Sequence, residues 1–213
     1  MAGVSSGCKW LGGRLNCAKI PPGQYRLRAS PQLLAFVDQA LQKKNEVAGA
    51  LAIDLANGSL DIVQTVQGKR DNVGIPRGAI LACHTHPGKC PPRGAECALD
   101  VPSDADMALV MEDCMQGTSQ HWVFSHTGTY TVALNPHLRA HLGGLGGSAR
   151  KAAEKQIEAV FKQAHKSFEQ KLQRGTTDLD RFRPSWMETA RQQGFDVRFF
   201  PRGQTPETML VVQ

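Results

Sequence analysis

The sequence predicts an α/β (α+β) chain: a central mixed sheet flanked by helices, followed by a helical C-terminal extension. Three observations carry this. Apolar runs of strand length alternate with stretches of helical periodicity. Two turn signals, Asn57-Gly58 and Thr127-Gly128, each join a pair of strand-like runs into a hairpin. The chain has 213 residues, 41% hydrophobic and 21% charged, which is enough for one domain with its own core and some additional sequence.

Taken in order, residues 1–24 read as irregular, because Gly12-Gly13 and Pro21-Pro22-Gly23 interrupt any pattern. A helix over 31–44 follows from Ser30 as N-cap, Pro31 at the first helical position, and a stripe of Leu33, Leu34, Val37, Ala40 and Leu41. Strands are expected over 47–55, 60–66 and 79–86; the first two are joined at Asn57-Gly58, and the third ends at Pro87-Gly88. Pro, Gly and Cys crowd 88–100 into a loop. Met107, Val110, Met111 and Cys114 mark a helix over 104–115, and a hairpin over 121–125 and 129–134 comes next.

The Gly-rich stretch 141–148 reads as a flexible linker. Beyond it, Ile157, Val160, Phe161, Ala164, Phe168 and Leu172 form one face of an amphipathic helix over 149–172. A short helix over 184–193 and a strand over 195–200 close the chain. The organisation expected is therefore an irregular segment 1–24, a domain 25–140, a linker 141–148 and an extension 149–213.

Charge and cysteine usage narrow the function. The formal net charge is +6, without a dense Lys/Arg run or interleaved aromatics, which argues against a nucleic-acid partner. No apolar run approaches the ~18–20 residues that span a bilayer, so no membrane partner is expected. The first 20 residues carry Lys9 and Arg14 and no unbroken apolar stretch, unlike a secretory signal. Cys8, Cys17, Cys83, Cys90, Cys97 and Cys114 contain no CxxC pair and read as reduced thiols, consistent with a cytoplasmic location.

Chemistry concentrates in three short strings. His84-Thr85-His86 places two imidazoles on one side of a strand end, where both can reach one metal ion. Ser103-Asp104-Ala105-Asp106 has the spacing of a capping box, and it holds the Asp106 carboxylate rigidly in a first helical turn. Glu46 stands where the first helix gives way to a core strand, in the string Glu46-Val47-Ala48-Gly49-Ala50-Leu51. Taken singly, each has an ordinary structural explanation.

In combination and in this order, Glu46, then His84-Thr85-His86, then Ser103 and Asp106, the strings resemble the signature of the JAMM/MPN+ zinc metalloprotease family, over roughly residues 25–140. The resemblance implies an MPN/JAB-like (cytidine-deaminase-like) fold. It also implies one Zn2+ held by His84, His86 and Asp106, Glu46 as general base, and Ser103 as donor to the oxyanion. The implied activity is that of an isopeptidase or peptidase cleaving after the C-terminal Gly-Gly of ubiquitin or a ubiquitin-like protein, in a chain of prokaryotic or viral type. A non-catalytic MPN scaffold and a phage-tail-type peptide hydrolase are the alternatives. The chain departs from the family pattern in the sixteen residues 87–102 between His86 and Ser103, a longer span than usual. Cys90, Arg93 and Cys97 in that insertion are candidate substrate contacts. Oligomeric state is left open.

Overall fold

The computed structural model describes residues 9–11, 14–16, 20–69, 73–74, 79–87 and 100–212. Strands β1 (Lys9–Leu11) and β2 (Arg14–Asn16) pair as a small hairpin, so part of the stretch read as irregular has strand structure. Next come β3 (Gly23–Ala29), α1 (Pro31–Leu41), β4 (Val47–Asp54), β5 (Ser59–Gln67) and β6 (Leu81–Thr85). After these follow α2 (Asp104–Met115), β7 (Gln120–Phe124), β8 (Gly128–Leu134), α3 (Pro136–Gly144), α4 (Gly147–Gln173), α5 (Leu179–Gln192), β9 (Phe195–Pro201) and β10 (Glu207–Val212).

Eight strands form one mixed sheet in the order β10-β3-β5-β4-β6-β7-β8-β9. The β3–β5 and β6–β7 pairs are parallel, and the other neighbours are antiparallel. The expected mixed sheet flanked by helices is therefore present. Alternation along its central strands sorts side chains to two faces. Leu81, Cys83, Trp122 and Phe124 join Leu33, Val37 and Leu41 of α1 in one core. Val123, Tyr130 and Val132 join the buried faces of α2, α4 and α5 in the other. His84 and His121 alternate onto this second face, under α2.

The C-terminal third is integral to both layers. Phe161, His165, Phe168 and Leu172 bury one side of α4, and Leu179, Phe182, Trp186 and Ala190 bury one side of α5. Then β9 pairs along β8, and β10 pairs along β3 at the opposite edge. Two expectations are corrected here. The stretch 141–148 is not a linker: Leu142 is fully buried in the last turns of α3, and α4 begins at Gly147 after a two-residue connection. Helix α5 starts at Leu179, five residues before Pro184, behind the N-cap Asp178. A proline inside a helix costs about 3 kcal/mol, and burial of Leu179 and Phe182 offsets that.

Two glycines are required by geometry. At Gly128 a Cβ would lie 2.2 Å from the Phe200 carbonyl oxygen, where β8 approaches β9. At Gly194, between α5 and β9, φ is +90° and a Cβ would meet Leu138 at 2.8 Å.

Candidate metal centre

The centre lies where β6 ends against the first turn of α2. Ser103 caps α2: its hydroxyl accepts the Asp106 N–H at 3.1 Å, and the Asp106 Oδ2 accepts the Ser103 N–H at 2.6 Å. The same hydroxyl donates to Asp106 Oδ2 at 2.8 Å. The capping box expected from the spacing is thus complete, and it aims the carboxylate at the sheet. Asp106 Oδ1 lies 3.0 Å from His84 Nε2, and Oδ2 lies 3.2 Å from His86 Nε2. The two Nε2 atoms are 3.1 Å apart.

Neighbouring strands set the two histidines. His86 donates its backbone N–H to the Phe124 carbonyl at 2.7 Å, and His126 Nε2 lies 3.1 Å from the Pro87 carbonyl. The Thr85 hydroxyl, on the other face, accepts the Val47 N–H at 3.0 Å. Ala48, in register with His84, is small enough to leave the ring space.

One ligand atom from each of His84, His86 and Asp106 falls within 4.8 Å of the others. Two imidazole nitrogens and a carboxylate oxygen form a donor set that suits a divalent transition metal. Their protonation also suits it. Burial pushes the His84 imidazole down from its ordinary 6.5, against the pull of Asp106. Burial pushes the Asp106 carboxyl up, but the imidazoles of His84 and His86 outweigh it and hold it well below the usual carboxylate range. Near neutral pH the site therefore presents a neutral His84 imidazole and an ionised Asp106 carboxylate.

Glu46 lies one residue before β4. Its N–H donates to the Lys69 carbonyl at 2.8 Å, and its carbonyl accepts the Gly68 N–H at 2.9 Å. The β4–β6 register pairs Ala48 with His84. By strand alternation, Glu46, two residues before Ala48, falls on the same side of the chain as Ala48, the partner of His84. Cys90, Arg93 and Cys97 lie outside the described residues. The free thiols of Cys83 and Cys114 are buried. Burial pushes Cys83 up to about 12 and raises Cys114, which leaves both unreactive.

Sequence reasoning missed a polar cluster built on Asp100, three residues before Ser103. Asp100 is buried; it accepts from the Thr127 hydroxyl at 2.6 Å and faces the Tyr130 hydroxyl and the Arg183 guanidinium. Arg183 of α5 also donates to Tyr130 and Thr127 and lies over the Phe199 ring. This cluster ties the chain just before Ser103 to the β7–β8 turn. Nothing local in the sequence signals it, because its members come from four separate segments.

Two buried imidazoles make stability pH-dependent. Burial holds both His84 and His165 below the ordinary 6.5. Each binds its proton more weakly in the folded chain than in the unfolded one. Their contribution is therefore full above about pH 6.5 and is lost as the pH falls through the lower folded values. The unfolding midpoint of metal-free protein is expected to drop between pH 7 and pH 5. A constant midpoint over that window would count against both assignments.

The protein matches no family model, and no curated protein matches it. No helix among the described residues is long and apolar enough to cross a membrane.

Proposed function

We propose that the chain is a zinc-dependent peptidase of the JAMM/MPN+ type. Its proposed reaction is isopeptide or peptide cleavage after the C-terminal Gly-Gly of ubiquitin or a ubiquitin-like protein, in the cytoplasm. The observation that carries the reading is the convergence of His84, His86 and Asp106 from two separate strings. It occurs at a strand end and a helix start, in the order and contexts of the family signature.

His84 Nε2, His86 Nε2 and one Asp106 oxygen would hold one Zn2+. When bound there, zinc would polarise a substrate carbonyl and lower the pKa of a coordinated water toward neutrality. Glu46 takes the proton from the attacking water and delivers it to the leaving amine. Ser103 fixes the Asp106 carboxylate through its hydroxyl, and a rotation of that hydroxyl would let it donate to the oxyanion. A Gly-Gly tail suits such a site because backbone without side chains can pass close to the ligands.

The test is elemental analysis of purified protein, together with cleavage of a ubiquitin fusion carrying a C-terminal reporter. One equivalent of zinc is expected, with cleavage abolished by a chelator. Asp106→Ala is expected to lose stoichiometric zinc and activity together. Zinc without cleavage of ubiquitin or ubiquitin-like fusions would favour the scaffold reading or a different peptide substrate. Absence of zinc from the wild-type protein would overturn the proposal.

A further inference from the structure

A second imidazole–carboxylate pair lies beside the first. Asp113 follows Asp106 by seven residues, two turns of α2, so both carboxylates share the helix face turned to the sheet. Asp106 meets His84 and His86, and Asp113 Oδ2 lies 3.3 Å from His121 Nε2 on β7. The β6–β7 register pairs Ala82 with His121 and His84 with Val123. His84 and His121 are therefore diagonal neighbours on one face of adjacent strands, within reach of ring-sized side chains.

Both rings are buried, at 2% and 0% exposure, so bulk water cannot satisfy them. Yet Nδ1 of His84 and both ring nitrogens of His121 have no hydrogen-bond partner among the described residues. A buried ring nitrogen left unpaired costs free energy. A histidine that ligates a metal through one nitrogen ordinarily donates the N–H of the other to an acceptor.

We propose that Asp113 and His121 are the outer support of the metal centre and that they hold the His84 ring through its Nδ1. This rests on the reading of His84, His86 and Asp106 as a zinc site. The tautomers fit. Asp113 is an acceptor, so it selects the His121 form with a proton on Nε2, leaving a lone pair on Nδ1. At 3.3 Å the Nε2–Asp113 contact is not aligned as a hydrogen bond, and a rotation of the ring would align it. His84, bound to metal through Nε2, carries its proton on Nδ1. Donor and acceptor are then complementary, joined directly or through one buried water. Asp113 and His121 touch neither metal nor substrate; they are positioning residues that fix the His84 ring and raise its basicity.

The experiment measures zinc affinity of the full-length chain by chelator competition, and the absorption spectrum of the cobalt(II)-loaded protein. Asp113→Asn keeps the shape but puts an amide where an acceptor stood, and His121→Phe removes the ring nitrogens. Each is expected to weaken zinc binding by about 10–100-fold and to shift the cobalt d–d bands. Met111→Ala, a packing change on the same helix, is the control and is expected to keep wild-type affinity. Wild-type protein that binds no zinc would overturn the zinc reading, and this inference with it. If wild-type binds zinc and both variants stay within about twofold with unchanged spectra, the outer support alone is wrong. An equal loss in Met111→Ala would assign the effect to packing and overturn it too.

Discussion

Glu46→Gln is expected to lower the cleavage rate by about 10²–10⁴-fold, the usual contribution of a positioned general base, while zinc content stays at the wild-type level. The substitution preserves shape and removes only the ability to accept a proton. Glu46 is held by its backbone to Lys69 and Gly68, contacts that glutamine retains. It belongs to neither the ligand set nor the α2 cap, so the metal affinity should not move. This separates it from Asp106→Ala, where zinc and activity fall together. Single-turnover cleavage alongside elemental analysis reads both quantities. A Glu46→Gln protein that cleaves at the wild-type rate would remove Glu46 from the chemistry. One that loses its zinc would make Glu46 part of the ligand support.

Trp186→Ala is expected to destabilise the protein by about 3–5 kcal/mol, the range for emptying a large aromatic site in a core. Trp186 is fully buried on α5, with the Phe161 ring 5.9 Å and the Tyr130 ring 5.8 Å away, centroid to centroid. These three residues bring α5, α4 and β8 to one point. At about 2–4 °C per kcal/mol for a chain of this size, the unfolding midpoint should fall by roughly 10 °C. Urea unfolding should remain a single transition. If residues after the Gly-rich stretch were an appendage, the change would leave the midpoint of the remaining domain nearly unaltered. A shift under about 2 °C would therefore mean that α4 and α5 do not share the core seen here.

Much of the centre was legible before the fold. The alternation in His84-Thr85-His86 requires both imidazoles on one side of a strand, and the Ser103–Asp106 spacing requires a carboxylate pinned in a first turn. Both are local properties of backbone geometry, and both appear as read. Helix α1 was equally legible, from the Ser30 cap, Pro31 and the apolar stripe. It ends at Leu41, short of the expected end at 44, because only the residues through Leu41 are buried against the sheet.

What failed to show was whatever depends on distant pairing. Strands β3 and β10 pair with each other across nearly the whole chain, and half of each faces solvent. Strand β3 carries no apolar run like that of β4, and the short run Met209-Leu210-Val211-Val212 of β10 finds its partner only at the other end of the chain. The Gly-rich stretch has linker composition, yet burial of Leu138 and Leu142 makes it helical. The same burial effect carries α5 upstream through Pro184. His121 looked like an ordinary strand residue, since only the parallel β6–β7 register sets it beside His84.

By itself, the sequence determined which atoms can act: two imidazoles on one strand face, a capped carboxylate, and a glutamate at a strand start. Their spacing is set by rises and periods shared by all strands and helices. The tertiary structure decided that the two imidazoles and the capped carboxylate converge, that Asp113 meets His121 on the neighbouring strand, and that the last 70 or so residues complete the core. Those outcomes depend on register, crossover and burial between segments far apart in the chain. No local preference encodes them, because the free energy that selects them arises only when the faces meet.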